Sequence, residues 1–126
     1  MANTKKLIQA AAGAAGGAGL NVEDVFSNLL YVGDATTTRN IVNGIDYANE
    51  GGFIMTRDRA ASNTFLWDTE RGVQKHVMTS VTSSEQTNTS TVKAFNDDGY
   101  TIGNYSVING NNKSVVSWGW RKAPKF

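Results

Sequence analysis

Residues 115–120 read Val-Val-Ser-Trp-Gly-Trp, and the alternation within them decides the fold class. Val116, Trp118 and Trp120 fall on one side of an extended chain, with Val115, Ser117 and Gly119 on the other. A period of two marks a strand, because successive side chains point to opposite faces. The same period recurs upstream. Gly52 to Arg57 (GFIMTR) follows a glycine, and Asn63 to Asp68 (NTFLWD) sets Phe65 and Trp67 on one face. His76 to Val81 and Thr91 to Phe95 read as further strands. Tyr100 to Ile102 and Tyr105 to Ile108 read as two arms of a hairpin around Gly103-Asn104. Turn residues separate these runs at Gly33-Asp34, Asn43-Gly44, Asp97-Asp98-Gly99 and Asn109 to Asn112. Thr82 to Ser90 contains no large apolar residue and reads as an exposed loop. Many short strands predict a mainly β protein, an antiparallel β-sandwich of jelly-roll or lectin-like type.

Composition agrees and excludes several functions. The 126 residues suit one domain and carry 12 basic and 11 acidic side chains, a net charge of +1. Asn, Ser and Thr supply 35 residues, so the strands and turns are polar, and there is one Pro. No Cys is present, which excludes a disulfide scaffold, a thiolate zinc site and a Cys nucleophile. It also fits a protein assembled in a reducing cytoplasm. One His cannot supply a His-rich metal site. Near-neutral charge argues against a nucleic-acid partner, which draws a basic excess.

Charge is nonetheless uneven. Lys5 and Lys6 make the start basic, residues 21–56 hold five acids against Arg39, and Lys113, Arg121, Lys122 and Lys125 make the end basic. Ordinary surface variation explains this; basic ends meeting an acidic neighbour in an assembly would explain it too. The opening stretch, MANTKKLIQAAAGAAGGAGLNVEDVF, differs from the rest. Its Ala, Leu, Lys and Gln favour a helix from Thr4 to Ala15, and Gly16, Gly17 and Gly19 stop it. Such a helix is marginal alone and orders on docking; a floppy tail is the alternative. The apolar run is too short to cross a bilayer, so no membrane insertion is expected. We therefore divide the chain into a docking arm, residues 1–24, and a sandwich, residues 25–126.

No constellation reads as catalytic. Asp68 and Glu70, two apart, would share a strand face and could suit paired acid–base work or a cation. With Arg57, Arg59 and Arg71 nearby, ion pairs that pin the turn after Trp67 account for them better. Asp97-Asp98-Gly99 lacks any calcium-loop spacing and reads as a turn, and His76 as a partly buried polar residue. The glycines from Gly13 to Gly19 lack the Lys-Ser/Thr of a phosphate loop. No metal and no cofactor are expected. Trp67, Trp118 and Trp120 read as sandwich core, their alternation with small polar residues favouring burial; an exposed aromatic beside Asn or Asp would instead stack on a sugar ring.

Several stretches together carry a resemblance: Leu66 to Lys75 (LWDTERGVQK), Ala94 to Gly103 (AFNDDGYTIG) and Val116 to Phe126 (VSWGWRKAPKF), with Asn43 to Gly52 and the arm ending GAGLNVEDVF. The chain resembles, from about Ala10 to Phe126, a domain of tail-fibre-like bacteriophage virion proteins, particularly those of marine phages. There a strand ending DTERG precedes a polar loop, an FNSDGF turn and a closing segment with RKAPKFF. Here Asp97 and Asp98 replace the Ser-Asp pair and Tyr100 the Phe, which keeps the turn and the aromatic. Relatives continue into a further β domain, whereas this sequence ends at Phe126.

The resemblance implies a non-enzymatic virion protein of the tail, the N-terminal attachment domain of a fibre or appendage. Lys5, Lys6, Leu7, Ile8, Leu20, Val22 and Phe26 would dock the arm on a tail or adaptor protein as it orders. Arg121, Lys122 and Lys125 would seat the chain end against a neighbour, and identical copies would associate as a trimer by analogy with phage fibres. The alternatives are a lectin-like module for a host surface glycan and a capsid decoration or head-fibre protein.

Overall fold

The computed structural model describes residues 21–61 and 63–123. Most of the expected arm, including Lys5, Lys6, Leu7, Ile8 and Leu20, lies outside the described residues, as does Lys125. In chain order the elements are α1 (Val22–Val25), β1 (Phe26–Val32), β2 (Arg39–Val42), α2 (Tyr47–Glu50), β3 (Gly52–Asp58) and β4 (Thr64–Asp68). They continue as β5 (Lys75–Met78), β6 (Gln86–Thr87), β7 (Val92–Phe95), β8 (Gly99–Ile102), α3 (Ser106–Asn109) and β9 (Ser114–Arg121). All described strand pairs are antiparallel. They form a six-stranded sheet, order β1-β9-β3-β4-β5-β6, and a three-stranded sheet, order β2-β8-β7. The fold is a β-sandwich, as the period-two runs predict.

Alternation places one face of each strand between the sheets. Ile54, Phe65 and Trp67 from the large sheet meet Ile41, Tyr100 and Ile102 from the small one, and Tyr47 and Ile108 close the core. Phe65 and Trp67 do share a face, their rings stacked 5.9 Å apart. A buried hydrogen bond, 2.6 Å between the Tyr100 and Ser117 hydroxyls, ties the sheets together. Both partners are buried, so the bond satisfies groups that water cannot reach. Burial raises the Tyr100 phenol well above its usual range and pushes Tyr47 up to about 12, so both remain neutral.

The structure corrects the tryptophan assignment on β9. Val115 and Ser117 are buried, while Trp118 and Trp120 lie on the opposite, partly exposed face. The reason is volume in the facing layer. Tyr100 reaches Ser117, and a Cβ on Gly119 would stand 2.2 Å from the Tyr47 hydroxyl. Tyrosines from elsewhere in the chain fill the interior, so β9 presents its small side chains inward and its indoles outward. The alternation predicts the strand; the tyrosines decide which side of it faces inward.

Residues 105–108 are a second correction. The expected hairpin arm is instead the single-turn helix α3. β8 is the central strand of its sheet, with β2 and β7 on its two edges, so no edge remains for a local partner. The intervening chain bonds to the segment before β7, Gly103 N–H to Thr91 O at 2.9 Å and Tyr105 N–H to Ser90 O at 3.1 Å. β5 ends at Met78, short of the expected Val81, and the polar loop contains the two-residue β6.

Candidate functional site

The outward face of the large sheet is built from three rows of side chains set by strand register. The first row runs Phe26–Trp120–Phe53–Asp68 across β1, β9, β3 and β4. The second runs Asn28–Trp118–Met55–Leu66–Val77 as far as β5. The third runs Leu30–Val116–Arg57–Thr64. Nine of the thirteen side chains on these rows are large and apolar, on the side of the sheet turned away from the core. An antiparallel sheet with one solvated face normally alternates apolar inside with polar outside. This face does not, and an extended apolar patch marks a contact surface.

Aromatic contacts organise the first row. Phe53 stacks on Trp120 with centroids 4.4 Å apart and planes 16° from parallel. Phe26 lies against Trp120 from the other strand at 5.3 Å. Beyond Phe53 opens a pocket of about 330 Å³ lined by Gly52, Phe53, Asp68, Glu70, Trp120, Arg121 and Lys122. Its rim is charged and its wall aromatic. The Lys122 ammonium pairs with Glu70 across the rim. Arg121 Nε is buried and has no hydrogen-bond partner among the described residues.

The acidic pair reads as structural here. Asp68 accepts from the Arg71 backbone N–H at 2.7 Å and from Arg71 Nε at 2.8 Å, and Gly72 N–H donates to the Asp68 carbonyl at 3.1 Å. Arg71 also reaches Glu85 at 3.4 Å. Both carboxylates therefore hold the turn after β4 through cations rather than facing one another across a reaction site. Among the described residues, no three of His, Asp and Glu come together as metal ligands, and no helix is long and apolar enough to cross a membrane.

Register unites residues that the sequence assigned to separate surfaces. Phe26, from the arm set, lies opposite Trp120, and Arg121 and Lys122, from the chain-end set, flank the same indole. Val22 stands apart on α1, 68% exposed. Trp118, Trp120, Phe53, Met55 and Leu66 were missed as surface residues. Local alternation holds no signal for them, because the inward side of β9 is set by Tyr47 and Tyr100 arriving from other elements.

His76 lies on the inward side of β5, 2% exposed, between Phe65 and Trp67 at ring distances of 5.3 and 5.6 Å. Burial disfavours the imidazolium, so its pKa falls below the usual 6.5. In the unfolded chain the ring takes a proton near that value, while the folded ring stays neutral to lower pH. Stability from this group is complete above about pH 6.5 and declines as pH falls toward the folded pKa. Urea unfolding at about pH 8 and about pH 5 should show this loss, and His76→Leu should flatten the slope. An unchanged slope in the variant would assign the acid sensitivity to other groups.

No curated protein and no solved structure matches the chain. A domain of unknown function, DUF7483, matches residues 21–125 and so takes in every described element from α1 to β9; the chain belongs to that family.

Proposed function

We propose that the chain is a structural protein of a bacteriophage particle, the attachment domain of a tail fibre or related appendage. It works by docking and not by catalysis. The observation that carries this reading is the outward face of the large sheet, where Phe26, Trp120, Phe53, Trp118, Met55, Leu66 and Val77 form rows across five strands. Aromatic and Met side chains are the enriched components of protein interfaces, and the charged rim of Lys122, Asp68 and Glu70 supplies orientation. The resemblance of DTERG, FNDDGY and RKAPKF to virion proteins supplies the particle context.

Docking tolerates loss of a single exposed side chain in the fold but not in the interface. Trp118→Ala, made in the phage that encodes the chain, should yield folded protein missing from purified particles, as read by mass spectrometry. Incorporation at the wild-type level would remove the outward face from the account. Absence of the wild-type chain from particles would remove the virion reading itself.

The lectin-like alternative has one specific support, the aromatic wall and carboxylate rim of the pocket beside Phe53. Phe53 covers one face of Trp120 and Phe26 crowds the other, so neither face of the indole lining this pocket is open for a sugar ring. Asp68 and Glu70 are already engaged with Arg71 and Lys122. Docking of a protein is the better fit.

A further inference from the structure

Among the described residues four strands stand at sheet edges, and three of them carry devices that discourage pairing with another chain. β6 is only two residues long, β2 begins with Arg39, and β7 carries Lys93 and a register irregularity between Val92 and Ala94. Short edges, edge charges and bulges are the usual protections against edge-to-edge association. β1 has none of them between Ser27 and Tyr31. Its seven residues, Phe-Ser-Asn-Leu-Leu-Tyr-Val, include no charge, no Pro and no Gly. From Ser27 to Tyr31 its backbone bonds only to β9 among the described residues. Leu30 and Val32, on its outward side, are 63% and 54% exposed.

The surroundings of β1 are polarised. Glu23 and Asp24 sit on α1 at its start. Arg59 lies beside Leu30, Tyr31 and Val32 at its far end and makes no ion pair among the described residues. Arg39 is at that end too, donating to the Val32 carbonyl at 2.6 Å and paired with Asp34 at 3.7 Å, so Arg59 supplies the net positive charge there. An antiparallel partner of the same sequence would bring each acidic start beside a basic finish, twice over. A parallel partner would set like against like.

We propose that β1 is a self-association edge: the β1 strands of two copies pair antiparallel about a two-fold axis and join two six-stranded sheets into one. Centring the axis on Leu29 keeps the open span Ser27 to Tyr31 in register, with Ser27 opposite Tyr31 and Asn28 opposite Leu30 of the second copy. Leu30 and Val32 then become interior to a continuous apolar face. A two-fold contact repeats every interaction, which suits a short edge. This goes beyond the virion reading and does not depend on it.

The test is sedimentation velocity on the full chain, with circular dichroism as the check on folding. Wild type should reversibly dimerise, and Leu30→Lys should weaken association about 100-fold, since symmetry enters the change twice and each leucine is worth about tenfold. Asn28→Lys, at another exposed position of the same edge, repeats the test. Val42→Lys, at a position 62% exposed on β2, should leave the dimer intact. Trp118→Ala should also remain dimeric, so this proposal and the docking face fail independently. A monomeric wild type, a trimer, or equal weakening by Val42→Lys would overturn the proposal.

Discussion

Trp67→Ala is expected to cost about 3–5 kcal/mol of unfolding free energy, the range for deleting a buried aromatic. Trp67 is fully buried between Phe65 and His76, at ring distances of 5.9 and 5.6 Å, and directly opposite Ile54 on β3. Removing the indole leaves a cavity that two hydrogen-bonded sheets cannot collapse around. Trp118→Ala is the informative contrast. Its indole lies on the outward face between Asn28 and Met55, so its loss should cost about 1 kcal/mol, the scale of a cross-strand pair. Urea titrations followed by circular dichroism measure both. Equal costs would place both indoles in one core and invalidate the outward face.

Gly99→Ala should be at least as damaging, by a different route. Gly99 begins β8 at φ +155°, and a Cβ there would stand 1.9 Å from the Ile41 carbonyl oxygen and 3.1 Å from Val42 Cα. Those atoms are backbone of the paired strand β2, opposite Gly99 in register, so relief requires separating the two strands. The cost should exceed about 4 kcal/mol, which is exceptional for one methyl group and a large share of a small domain's stability. Little soluble protein, or a melting temperature lowered by tens of degrees, is the expected outcome. A variant that melts like wild type would show that β2 does not approach Gly99 as described.

Strands whose partners do not affect their pattern were legible in the sequence. Gly52 to Arg57, Asn63 to Asp68 and Val115 to Trp120 are bounded by turn residues and alternate cleanly, and β3, β4 and β9 fall on them. What local pattern cannot carry is which side of a strand faces inward. For β9 that depends on Tyr47 and Tyr100, which arrive from other elements and occupy the space beside Gly119 and Ser117. Nor can it show that β8 has both edges occupied, which turns residues 106–109 from a hairpin arm into α3. The candidate site was legible only in fragments. Phe26, Arg121 and Lys122 were singled out for other reasons, and register gathers them around Trp120.

Asn109 illustrates a further role that composition hides. It is fully buried at the end of α3, accepting from Asp34 N–H at 3.1 Å and Arg39 at 3.2 Å and donating to the Thr36 carbonyl at 3.0 Å. One carboxamide thereby holds the connection between β1 and β2, an edge strand of each sheet. The many Asn residues are thus partly loop fasteners, and the polar composition builds a rigid frame behind the apolar face.

The central claim is that the tryptophan-bearing face of the large sheet is a protein docking surface. A cryo-EM reconstruction of the intact particle that contains the chain tests it most directly. The account predicts Trp118, Trp120 and Phe53 buried against a neighbouring protein. The same face open to solvent throughout the particle would contradict it.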